Sequence, residues 1–134
     1  MKIVFFEIRP EEESLISSLL KEDCVFVKEK LTKENINLAQ DAEVVSVFIN
    51  SKIDKEIIDS LPNLKLITTR STGFDHIDVA YAKEKNIKVA NVPSYGSVTV
   101  AEFTFALILS LSRKIFEAKT SVLEKQRFDI ANLQ

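Results

Sequence analysis

The run Arg70-Ser71-Thr72-Gly73-Phe74-Asp75 sets a guanidinium, two hydroxyls and a glycine side by side. Unsatisfied backbone N–H groups around a glycine that opens a helix bind anions, because the free donors and the helix dipole point at one place. A small carboxylate suits such a loop; the alternative is a plain strand-to-helix turn that uses Gly73 for its backbone freedom. The lone His76, beside Asp75 and Asp78, has the make-up of a general base, or else it packs or hydrogen-bonds a neighbouring carboxylate. Tyr95, between Pro93 and Gly96, carries a hydroxyl able to orient a polar substrate, or serves as an aromatic lid over a sheet edge. Arg9 offers a fork that holds a carboxylate at two points, unless Glu12 or Glu13 claims it.

Composition removes other chemistries. The 134 residues contain two glycines, one cysteine and one histidine. A G-x-G-x-x-G dinucleotide loop needs three glycines and a P-loop needs two with a lysine after the second, so neither is present. Cys24 alone excludes an intrachain disulfide and any zinc site of two or more thiolates, and it is expected in the core. No metal site is expected. Eighteen basic against twenty acidic residues give a net charge of −2, with an isoelectric point near 5.5, so no basic field exists for nucleic acid. The sign-alternating stretch around Lys28 to Glu34 is a solvated surface. No secretory h-region opens the chain, and the most apolar window is too short for a bilayer, which needs ~20 residues. Neither nucleic acid nor membrane is an expected partner, and the cytoplasm is the expected compartment.

The loops need a frame, and the hydrophobic pattern supplies one. Short apolar runs at 2–6, 24–27, 43–49, 64–68 and 87–92 read as strands. Helical patterns lie between them. Pro10 with three glutamates opens one that carries Leu15, Ile16, Leu19 and Leu20, and a brief helix is expected within 32–40. Ser51-x-x-Asp54 resembles a capping box before Ile53, Ile57, Ile58 and Leu61. Asp75 or Asp78 caps a helix that Asn86 closes in the left-handed conformation. Strands separated by helices make a parallel sheet, expected here as an α/β flavodoxin-like doubly wound five-stranded fold of order 2-1-3-4-5. Such folds bind ligands beyond the carboxyl ends of their strands, where loops 7–9, 50–51, 70–75 and 93–99 lie. A flavin phosphate loop at 68–73 is set aside because it follows the fourth strand rather than the first. A receiver-like domain lacks paired acids after strand one.

The last pattern differs. Thr99-Val100-Ala101-Glu102 reads as a capping box for one long helix, apolar nearly all round from Val98 to Leu111. An all-round apolar helix needs cover on every side, so it is expected to pack against another domain or subunit.

Together these residues resemble the D-isomer-specific 2-hydroxyacid dehydrogenases. The likeness rests on Gly73-Phe74-Asp75-His76-Ile77-Asp78, on Asn91-Val92-Pro93-Ser94-Tyr95 and on Val100-Ala101-Glu102, and it runs along nearly the whole chain. The opening Phe5-Phe6-Glu7-Ile8-Arg9-Pro10 is most similar to the D-lactate dehydrogenase branch. The resemblance implies a flavodoxin-like substrate domain over 1–97 and, over 98–134, an interdomain and dimerisation helix with a linker towards an NAD-binding domain. It implies that the Thr72 and Gly73 amides bind a 2-oxo acid carboxylate, that Tyr95 and Arg9 line the pocket, and that Thr99 lies near the nicotinamide. The family's glycine fingerprint and its catalytic Arg, acid and His have no match in this sequence, and His76 is not the catalytic His. The chain is therefore expected to be the substrate-binding part of an NAD-dependent oxidoreductase acting on an acid such as D-lactate or pyruvate. It would be inactive alone and would partner an NAD-binding domain in cis or in trans. Residues 128–134 resemble the approach to that domain, so a truncated chain or half of a split pair is implied, and a homodimer through Val98 to Leu111 is expected. The alternative is a non-catalytic small-acid-binding or self-association module.

Overall fold

The computed structural model describes residues 1–124 and 126. The chain divides into two units, the first being Met1–Pro93 and the second beginning at Ser94. In the first unit five strands, β1 (Lys2–Phe5), β2 (Asp23–Phe26), β3 (Val44–Val47), β4 (Leu66–Thr69) and β5 (Lys88–Ala90), form one sheet of order β2-β1-β3-β4-β5. All pairings are parallel, with Val4 opposite Val25 and Val45, Val45 opposite Ile67, and Ile67 opposite Val89. The expected topology is the one observed, because each short apolar run needs a crossover before it can pair in parallel.

Side chains alternate across the sheet, so β1 serves two cores. Val4 and Phe6 point into the larger core with Val45, Val47, Ile67 and Ile57, while Ile3 and Phe5 point into a smaller one with Ile8 and Val44. Phe5 stacks on Phe26 with ring centroids 5.4 Å apart. Burying a phenylalanine such as Phe6 contributes roughly 2–3 kcal/mol. Helices α2 (Lys55–Asp59) and α3 (Val79–Glu84) cover the larger core, and α1 (Pro10–Leu19) lies against the smaller one through Ile16.

Several expectations are corrected at the level of single residues. Pro10 does open α1, yet Leu15 and Leu19 stand 61% and 71% exposed. Glu12 and Ile16 are the partly buried residues of α1, Ile16 against the smaller core and Glu12 bonded back to the Arg9 backbone amide. Asp54, rather than Ser51, caps α2 by accepting from the Ile57 amide, and Ile53 precedes that helix in a bridge to Ile77. Between Asp75 and Asp78 the cap is Asp78, bonded to the Tyr81 amide, and Asn86 takes the left-handed closing position at φ 60°. The brief helix expected within 32–40 is a single 3-10 turn, Ile36–Ala39. Cys24 is half-buried rather than fully enclosed; burial first, then Asp23 and Glu22, push its thiol pKa up.

In the second unit the single long helix is two, α4 (Ser97–Ser112) and α5 (Ile115–Leu123). Lys114 adopts φ 49° between them, and the Arg113 and Lys114 amides close onto the Leu109 and Leu111 carbonyls. The capping box at Thr99 and Glu102 does not form: α4 starts three residues earlier, after Gly96, with no side-chain cap. No residue of α4 is buried. Residues 128–134 lie outside the described residues. No helix among the described residues is long and apolar enough to cross a membrane.

Candidate functional site

Parallel strands deliver their exits to one edge, and the first unit gathers Glu7, Arg9, the loop 48–51, the loop 70–76 and Asn91 there. The chain leaves β1 through Glu7, whose φ of 57° turns its carboxylate back across the sheet. That carboxylate accepts from the Phe48 amide (3.1 Å), the Asn50 amide and side chain (2.9 Å each), and the amide (3.0 Å) and hydroxyl of Ser51. Burial alone would raise the Glu7 pKa; hydrogen bonds from Ser51 and Asn50 outweigh it and hold the group below the ordinary carboxylate value. Ser51 also accepts from the Leu31 amide at 2.9 Å, so it is fully buried without being unsatisfied.

Arg70, half-buried at the end of β4, reaches back over the same exits. Its Nη2 donates to the Phe6 carbonyl at 2.8 Å and the Glu7 carbonyl at 2.9 Å, and its Nη1 donates to the Ser46 hydroxyl at 3.1 Å. Its Nε is buried without a partner. Burial lowers its pKa, against the pull of Glu12 and Glu7.

Beyond Arg70 the chain is pinned by hydroxyls. Ser71 is buried and donates to the Gly73 carbonyl at 2.7 Å, while sharing a 2.6 Å hydrogen bond with the Thr69 hydroxyl. Thr69 in turn meets His76 Nε2 at 3.2 Å. The Thr72 hydroxyl donates to the Val92 carbonyl at 3.0 Å, Asn91 Nδ2 donates to the Thr72 carbonyl at 2.8 Å, and the Val92 amide donates to the Ser71 carbonyl at 3.0 Å. These bonds occupy the loop's carbonyls and hydroxyls. Among the described residues, nothing accepts from the backbone amides of Thr72 and Gly73, and both residues are exposed. Two adjacent free donors on a pinned backbone are suited to the two oxygens of a carboxylate.

Two parts of the sequence reading change here. The loop does not run into a helix, since α3 begins only at Val79 and is six residues long, so no dipole assists the amides. Gly73 is not needed for backbone freedom either. Its φ lies outside the left-handed region, and a Cβ built on it would come no closer than 3.9 Å to Asp75 Oδ2.

The other candidates divide. Arg9 lies at the same edge, but its Nε is 3.1 Å from Glu12 and 3.7 Å from Glu11, the pairing that was the alternative to a ligand role. His76 bonds the Thr69 hydroxyl rather than Asp75 or Asp78. Tyr95 belongs to the second unit and is 65% exposed. Thr99 lies inside the first turn of α4. Glu7 and Ser51 fall in loops that the sequence places at the strand exits, but the pairing of the Glu7 carboxylate with Ser51 appears only in three dimensions. No cluster of three metal-ligating side chains occurs among the described residues. None of the described helices opens from a glycine-rich strand-to-helix turn, so these residues do not fit a dinucleotide pyrophosphate.

Residues 3–128 match the family described as D-isomer specific 2-hydroxyacid dehydrogenase, catalytic domain. A 2-hydroxyacid dehydrogenase homolog of Zymomonas mobilis is 39% identical over 104 residues, 76% of this chain and 31% of that protein. A glyoxylate reductase of Thermofilum pendens is 41% identical over 107 residues, 75% of this chain and 32% of the relative. Among solved structures, D-lactate dehydrogenase from Aquifex aeolicus, complexed with NAD and lactic acid, is similar at a TM-score of 0.90 and 33% identity, covering 98% of this chain and 40% of that one. The chain spans about a third of the length of the relatives it matches.

Proposed function

We propose a role for this chain from the premise that it belongs to the D-isomer specific 2-hydroxyacid dehydrogenases: it is the substrate-holding part of an NAD-dependent enzyme acting on a small 2-hydroxy or 2-oxo acid. One observation carries the reading. The Thr72 and Gly73 amides have no acceptor among the described residues, both residues are exposed, and the fold itself does not require a glycine at position 73. They receive the acid's carboxylate. Arg9 and Tyr95 line the pocket, Arg9 by giving up its pairing with Glu12, and Thr99 lies near the nicotinamide. The substrate domain is 1–97, and 98–134 lead towards a separate NAD-binding domain.

When bound there, NAD supplies or takes the hydride at C2 of the acid. This chain's residues hold and orient the acid, and the proton is exchanged by a group outside them. Titration of the labelled chain with oxamate, an unreactive 2-oxo acid analogue, tests the reading through the Thr72 and Gly73 amide resonances. Specific saturable shifts there, with no pyruvate reduction by the chain alone, are expected. Silence at both amides, or turnover without an added domain, overturns the reading.

The exposed α4 favours a second component. Val98, Val100, Phe103 and Leu111 each stand at least 65% exposed, and such an apolar helix is suited to homodimer formation in the cytoplasm. A stable dimer whose loop ignores oxamate would make the chain a self-association module instead.

A further inference from the structure

We infer that Arg70 is the charge-supplying positioning residue of the carboxylate site: its guanidinium is held at the strand exits without a counter-ion, and its field favours a small acid at the Thr72 and Gly73 amides. The inference rests on the reading above and adds to it the source of the attraction.

Among the described residues Arg9 and Arg70 lie at this edge, and of these Arg70 is the one without a carboxylate partner. Arg9 is paired with Glu12 and Glu11. All three acceptors of Arg70 are neutral, namely the Phe6 and Glu7 carbonyls and the Ser46 hydroxyl, and among the described residues no carboxylate lies within ion-pair distance of it. The nearby acids are engaged elsewhere. Glu7 is turned to Asn50, Ser51 and the Phe48 amide, and Glu12 to Arg9. A half-buried cation has lost part of its hydration, and neutral acceptors replace that only in part, as the partnerless Nε shows. An arriving anion restores the balance. Arg70 also adjoins Ser71 in the chain, and its guanidinium, held at the exits of β1 and β3, lies along the same strand-exit edge as the donor loop.

The test is oxamate titration of the labelled full chain at low and high salt, with the Thr72 and Gly73 amides as readout. Between about 20 and about 500 mM salt the screening length shrinks from roughly 20 Å to roughly 4 Å. Wild-type affinity is expected to fall several-fold across that range. Arg70→Gln is expected to bind about tenfold more weakly at low salt with a flattened salt response. Arg70→Lys keeps the charge and is expected to retain the response and to bind within about threefold of wild type. A merely structural role would not change the salt response. If the wild-type chain binds oxamate independently of salt, or if folded Arg70→Gln keeps wild-type affinity and salt response, this inference fails and the carboxylate reading stands. Should Arg70→Gln not fold, Arg70→Lys decides, and its loss of the salt response overturns the inference. No wild-type shift at either amide overturns both.

Discussion

The carboxylate of Glu7 and the backbone and hydroxyl of Ser51, 44 positions apart in sequence, form a closed hydrogen-bonded pair that ties the exit of β1 to the exit of β3. This pair, with Asn50 and Phe48, fixes the neighbouring loop without any regular secondary structure.

Replacing Glu7 tests that tie. Glu7→Gln removes acceptor capacity and turns an NH2 group towards donors, and a loss of about 1–3 kcal/mol is expected in denaturant unfolding. The pH dependence follows from the lowered folded-state pKa. The unfolded carboxyl titrates near 4.5, so the ionised Glu7 stabilises fully above that pH, and the contribution disappears as pH falls through the lower folded value. Glu12, Glu34, Glu43 and Asp59 are lowered too. The difference between wild type and Glu7→Gln therefore isolates the Glu7 share, and it should shrink on acidification below pH 4.5.

Gly73→Ala separates fold from binding. The added methyl meets nothing closer than 3.9 Å and the backbone is not left-handed, so thermal stability should stay within about 0.5 kcal/mol of wild type or rise slightly. Oxamate affinity should drop about tenfold, because the methyl occupies the approach to the two amides. Equal affinity in a folded Gly73→Ala chain would show that the glycine serves no ligand.

Phe103→Glu tests the exposed helix. Phe103 is 65% exposed, so the change leaves the first unit's amide spectrum as it was. Sedimentation should report a shift from dimer towards monomer. A wild-type chain that sediments only as monomer would remove the homodimer from the proposal.

Much of this architecture was legible in the letters. The strands at 2–6 and 43–49 are mostly apolar runs without strict alternation, which a sheet covered on both faces accommodates, and they contain β1 and β3. Asp78 and Asn86 announced the ends of α3 through local hydrogen bonding and tolerance of positive φ. The break between α4 and α5 was not legible. It falls on Arg113 and Lys114, with no glycine, proline or asparagine to mark it. Leu15 and Leu19 misled because periodicity identifies an apolar stripe but not how much of it the sheet covers, and of that stripe Ile16 packs on the core. At the site, Thr72 and Gly73 could be named from their types, whereas the reach of Arg70 to Phe6 and Glu7 depends on strand order and appears only in three dimensions.

The shortest strand has an outsized influence. β5 comprises three residues at the rim of the sheet, and Asn91 and Val92, which follow it, grip the Thr72 and Ser71 carbonyls and the Thr72 hydroxyl. Rim strands fray first. Mild warming or a weakening change in β5 should therefore blur ligand recognition while the sheet's interior is still intact, so that failure of grip precedes melting.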